Sequence, residues 1–200
     1  MRYPSFFDAV EPIVLYDPLS DFLGAFEAGE IKITYLDCVK LAGHSCPTVA
    51  GAYLMTKLGL ERLFKETLPH RGMVHVSMRQ PQSEGVAGVV CNVASYIVGA
   101  GDKGGFKGIQ GHFSRDNLID YDMPMEGEMR LTRLDTEESV TLSYDPSVVP
   151  GDPEMKTLMG KHLQGVATEE EKRRFGVLWQ KRVEKILLSP ELWGTMITVK

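Results

Sequence analysis

The sequence predicts an α+β fold in one domain, with a mixed or antiparallel sheet packed against helices. Three observations point there. Apolar residues alternate at Val140, Leu142 and Tyr144, just after the stretch 129–134, with Asp135-Thr136-Glu137-Glu138 as the turn between two strands. A long amphipathic helix follows, with Phe175, Leu178, Trp179, Val183, Ile186 and Leu187 on one face. Strands and helices are interspersed without a regular strand–helix alternation, which argues against a doubly wound sheet.

In chain order, residues 1–16 carry no strong pattern. Asp17-Pro18 predicts an N-cap with proline at the first helical position. Leu19, Phe22, Leu23 and Phe26 follow at helical spacing, with Gly29 as the stop. Ile31, Ile33 and Tyr35 read as an extended connector. Pro47 opens a strong helix whose apolar face carries Ala50, Tyr53, Leu54, Leu60, Leu63 and Phe64. The stretch 73–79 reads as a strand with Val74, Val76 and Met78 on one face and His75, Ser77 and Arg79 on the other. The small-residue stretch 86–98 predicts a closely packed helix around Cys91, followed by a glycine-rich segment, 99–111. Pro146, Pro150 and Pro153 mark a loop, and a short helix is expected over 154–162. Thr168 with Glu171 forms a capping box at the head of the long helix, and Pro190 ends it. The stretch 193–199 reads as a last strand.

Two hundred residues are enough for one sizeable core. The expected arrangement is a single domain over 1–200, with 1–35 as an N-terminal extension. Formal net charge is −5 and no basic stripe is interleaved with aromatics, so no nucleic-acid partner is expected. No apolar run approaches the roughly 20 residues that span a bilayer, so no membrane association is expected. The N-terminal residues carry an early acid and no long apolar stretch, so they do not read as a secretory signal, and a cytoplasmic location follows. Three cysteines, Cys38, Cys46 and Cys91, are too few and too uneven for a disulfide framework, which leaves reduced thiols.

Chemistry concentrates around Gly43-His44-Ser45-Cys46-Pro47. Cys46 falls at the start of a helix, where free N–H groups and the dipole favour a thiolate. A thiolate is a nucleophile and a soft metal ligand, and His44 sits close enough in sequence to share a metal. The alternative is a buried structural thiol beside a histidine that caps a carbonyl. Cys91 reads either as a small core hydrophobe or, if the fold brings it to Cys46, as a further ligand. His112, beyond the glycines, is another candidate, and Cys38 a weaker one. His70 and His162 have no assigned role. Glu84 is a candidate general base or a partner for a ligating histidine, and otherwise an acid at a helix N-terminus. The glycine-rich segment matches neither the Walker spacing nor the dinucleotide fingerprint, and it reads as turns that shape an entrance. No Ser/His/Asp order marks a serine hydrolase.

The segment Asp37-Cys38-Val39-Lys40-Leu41-Ala42-Gly43-His44-Ser45-Cys46-Pro47 resembles the signature of the FmdE family, whose name comes from the formylmethanofuran dehydrogenase operon. That signature runs roughly His-Gly-His-x-Cys-Pro-Gly before a small-residue helix. Cys91-Asn92-Val93-Ala94-Ser95 and Ser114-Arg115-Asp116-Asn117-Leu118 are similar to two further family segments, and the likeness covers about residues 36–199. Ala42 stands where the family has its first histidine, Thr48 where it has glycine, and the zinc-ribbon cysteines of some relatives are missing. The resemblance implies a metal-binding α+β protein and a homodimer with its site near the interface. The expected ligand set is His44, Cys46, Cys91 and His112, with His112 in a rebuilt role and zinc as the leading ion. An open metal position would support a metal-dependent or redox accessory reaction. The alternatives are a metal-free thiol enzyme with Cys46 as nucleophile and a non-covalent haem or other cofactor-binding module. A small-molecule ligand fits any of the three.

Overall fold

The computed structural model describes residues 2–200 and has the α+β architecture that the sequence predicts. After a 3-10 turn at Ser5–Ala9, β1 (Ile13–Tyr16) precedes α1 (Pro18–Phe22) and β2 (Glu30–Ile33). The two strands pair antiparallel, with Ile13 opposite Ile33 and Tyr16 opposite Glu30. Next come α2 (Tyr35–Ala42), α3 (Pro47–Phe64), β3 (Val74–Met78) and α4 (Ala87–Val98). The second half holds β4 (Ile119–Asp120), β5 (Met129–Arg133), β6 (Ser139–Tyr144), α5 (Glu154–Leu163), α6 (Glu169–Leu188), α7 (Pro190–Met196) and β7 (Ile197–Val199). The larger sheet runs β4-β3-β5-β6-β7, parallel only at the β3–β4 edge.

Alternation sets the faces. Val74, Val76, Leu131, Val140 and Leu142 turn inward, where α3 and α4 pack on the sheet. The other face carries His75, Ser77, Arg130, Thr132 and Thr141. α3 is buried nearly all round, because α2, α4, α6 and the sheet surround it. It approaches the sheet through Gly51 and Gly59, where an added Cβ would lie 2.3 Å from the Tyr144 ring and 2.8 Å from Leu131. Met155, Leu158 and Leu178 form a small separate cluster between α5 and α6, which Phe175 and Trp179 cover.

Caps match the sequence reading at Asp17, which accepts the Ser20 N–H, and at Thr168 with Glu171. A second box, Thr34 with Asp37, starts α2. Three local expectations are corrected. The helix after Pro18 ends at Phe22 and does not reach Gly29, because Phe22, Leu23 and Phe26 stay largely exposed and share no common surface to bury. Gly29 is instead required at a close approach, where a Cβ would lie 2.7 Å from the Tyr16 ring and 2.8 Å from the Asp17 carbonyl. The expected last strand is mostly α7, with only Ile197–Val199 in the sheet. Residues ahead of α1 hold a strand, and Phe6, Phe7, Val10, Ile13 and Leu15 belong to the same core as the sheet. No helix is long and apolar enough to cross a membrane among the described residues.

Candidate functional site

A buried carboxylate, Asp17, joins the start of α1 to Arg71 and to Arg115 just beyond the glycine-rich segment. Asp17 is 1% exposed. Its Oδ1 accepts the Ser20 N–H at 3.0 Å and Arg115 Nη2 at 2.5 Å, and its Oδ2 accepts Arg71 Nη1 at 3.0 Å. Burial alone pushes the Asp17 carboxyl up, but the Ser20 N–H and the two guanidinium groups outweigh it and hold it below its ordinary value. Arg71 is further fixed by the Ile97 and Tyr96 carbonyls at the end of α4. Burial, and then the neighbouring Arg115, lower the Arg71 pKa against the pull of Asp17.

Arg115 is held less completely. Its backbone N–H bonds the Phe106 carbonyl and its own carbonyl accepts the Gly101 N–H, which ties the segment 101–106 to it. Its guanidinium lies against Gly72 and Gly99. Among the described residues, Nε and Nη1 of Arg115 make no hydrogen bond. Arg115 lines a cleft of about 400 Å³ together with His70, Arg71, His112, Ser114, Leu19, Met73, Phe113 and Leu134. No carboxylate is among the lining residues. Two guanidiniums against one sealed carboxylate leave one positive charge in excess.

The wall at His112 and Phe113 has a strained backbone. Ile109 and His112 exchange both backbone hydrogen bonds, at 2.8 and 2.9 Å, around Gln110 and Gly111, which both have positive φ. That is the two-residue hairpin turn of the left-handed type. Phe113 follows with φ of +61°, a conformation that a bulky side chain rarely adopts. Its ring meets Phe22 with centroids 5.2 Å apart. Of the glycine-rich stretch 99–111, Gly111 lines the opening.

The four predicted metal ligands do not converge. No group of three or more His, Cys, Asp or Glu side chains is placed to hold a metal ion among the described residues. His44 is exposed in the turn after α2, where Gly43 takes the left-handed cap, and its Nδ1 lies 2.9 Å from the Ala42 carbonyl. Cys46 is the N-cap of α3, and its Sγ accepts the Val49 N–H at 3.4 Å. The Ser45 carbonyl beside it accepts Trp179 Nε1 and Gln180 Nε2, so α6 clamps this turn. Cys91 is fully buried in α4, with its Sγ 3.5 Å from Ser95 Oγ, and burial pushes its thiol up. Cys38 is fully buried in α2 and pushed up to about 12, by burial first and Asp37 second. Both thiols are thus protonated at neutral pH. His112 lies in the cleft. Glu84 sits in an exposed turn before α4, 3.4 Å from Gln80 Nε2.

The fold also assembles a set of residues without a sequence signature. Ser77 Oγ lies 3.4 Å from His75 Nδ1, and His75 Nε2 lies 3.2 Å from Asp120 Oδ2. Ser77 is 3% exposed and the array lies outside the cleft, so it ties β3 to β4 at the sheet edge without presenting a nucleophile. Sequence reasoning missed the cleft itself. Asp17 reads only as a cap, and His70 as a loop residue. Asp17 meets its arginines 54 and 98 residues away, so no local motif signals the cluster. The sequence matches no family model and no curated protein.

Proposed function

We propose that this protein binds a small organic anion in the cleft floored by Arg71 and Arg115. The observation that carries the reading is the incomplete neutralisation of Arg115. One of its donor nitrogens is committed to Asp17, and Arg115 lines an opening that carries no acid. A cation held this way is preorganised. Asp17 fixes the guanidinium, so a carboxylate or phosphate oxygen can accept an N–H donor without ordering a free side chain. His70, His112 and Ser114 supply further polar groups at the rim. The opening also falls within the usual size of ligand sites. Calorimetric titration with simple carboxylates and inorganic phosphate tests the reading. Binding is expected in the wild type and absent in Arg115→Met, and equal affinity in the two proteins would refute it.

A second proposal follows from the resemblance to FmdE proteins. His44 and Cys46 would be half of a metal site whose other ligands come from outside this chain, as in a homodimer. The Ala42 carbonyl favours this reading, because it fixes one ring nitrogen of His44 and so leaves Nε2 as the ligating atom. Elemental analysis of wild type beside Cys46→Ser decides it. About one equivalent of transition metal per chain, lost in the variant, is the expected result. Metal-free wild type, purified without chelators, would remove the proposal.

A further inference from the structure

We infer that the ligand of the Arg71/Arg115 cleft is an amphipathic monocarboxylate, with a single anionic head and an apolar body. This assignment rests on the anion-binding reading and goes further by naming the chemical class. The first observation is charge. Arg71 and Arg115 are opposed by Asp17 alone, so the excess is one unit, which matches one carboxylate and not a nucleotide or a polyphosphate. Lys107, a further cation on the glycine-rich segment, is already taken by Asp116 at 2.6 Å.

The second observation is the rest of the wall. Leu19, Met73, Phe113 and Leu134 line the same cleft, so the guanidiniums occupy only part of it. Phe22 extends this wall outward. Its side chain lies against the Phe113 ring, yet Phe22 is 63% exposed and the adjacent Leu23 is 61% exposed. Contiguous exposed apolar side chains next to a site are unfavourable in water unless something covers them. An apolar body anchored by its carboxylate at Arg115 would cover them.

The third observation is strain. Phe113 keeps a left-handed backbone that glycine or asparagine would adopt at lower cost. Strained residues persist where the surrounding structure holds them in place, and here the residue so held is an aromatic one in the cleft wall, in contact with Phe22.

The test is calorimetric titration of the full chain with acetate, hexanoate, octanoate and inorganic phosphate at fixed ionic strength. Affinity is expected to rise at least tenfold from acetate to octanoate, because the added methylenes leave water. In Phe22→Ser and in Phe113→Gly, octanoate affinity should fall to within about threefold of acetate. Glycine suits the backbone at 113 and serine suits an exposed position, so both variants should fold, and circular dichroism checks this. Acetate or phosphate binding as tightly as octanoate, with all binding lost in Arg115→Met, would overturn this inference and leave the anion site standing. An octanoate advantage that survives both phenylalanine substitutions would also overturn it. Failure of every anion to bind the wild type would overturn both readings.

Discussion

Replacing Gly51 by alanine should destabilise the protein, whereas the same change at Gly176 should stabilise it. Both glycines lie inside helices, α3 and α6, where alanine is favoured by about 0.5–1 kcal/mol because glycine loses more backbone entropy on folding. At Gly176 an added Cβ meets nothing within 4 Å, so the propensity gain stands alone. At Gly51 it would lie 2.3 Å from Cδ1 and Cε1 of Tyr144 and 2.7 Å from Cζ. These are atoms of a ring whose hydroxyl is itself enclosed, so the ring has little room to swing away. Helix and sheet would have to separate, and overpacking of this kind costs about 1–3 kcal/mol. The net expectation is a loss of about 1–2 kcal/mol at Gly51 against a gain of about 0.5–1 kcal/mol at Gly176. Urea denaturation with unchanged slope gives both as shifts in midpoint. A Gly51→Ala variant at least as stable as wild type would refute the close packing of α3 on β6.

Three other substitutions or treatments test the same structure. Tyr144→Phe should be neutral or slightly stabilising by thermal melting, because Tyr144 Oη is buried without a hydrogen-bond partner and its removal leaves no other group unsatisfied. Asp17→Asn should cost about 3 kcal/mol, because it leaves two part-buried guanidiniums opposed by no charge. It should also change the acid profile. The Asp17 carboxyl is held below its ordinary value, so its contribution is fully present above about pH 4 and is lost as pH falls through the lower folded value. The variant should therefore lose less stability than wild type below pH 4, as read by denaturation at pH 2–5. Finally, Cys38 and Cys91 should resist alkylation at pH 8 in the folded protein and react once it is unfolded in urea, as followed by mass spectrometry. Rapid modification of either thiol under native conditions would contradict their burial.

The legible parts of the fold are those that local chemistry specifies. Alternation at Val74, Val76 and Met78 places β3. The Thr168–Glu171 box places the start of α6, and Pro47 places the start of α3. Local patterns fail where tertiary contacts decide. Leu19, Phe22, Leu23 and Phe26 have helical spacing but no common surface to bury, so α1 stops early. The four residues Ile13–Tyr16 are too short a run to show a strand until β2 pairs with them. At the C-terminus, Pro190 starts α7 as well as ending α6, which shortens the final strand to three residues.

Legibility of the site follows the same rule. The turn at His44 and Cys46 is visible because proline, cysteine and glycine mark a helix junction. Whether Cys91 or His112 reaches that turn depends on packing, and the packing buries Cys91 against Ser95 and carries His112 to the cleft. The Asp17–Arg71–Arg115 cluster unites three segments far apart in sequence, each of them ordinary when read alone.

Arg115 as the anchor of a bound anion is the central claim, and nuclear magnetic resonance of the arginine Nε–Hε groups during titration with octanoate tests it most directly. The expected result is a saturable shift of the Arg115 resonance, with a smaller shift at Arg71 and none at the surface arginines of α6. No shift at Arg115, or equal small drifts at every arginine, would contradict the claim.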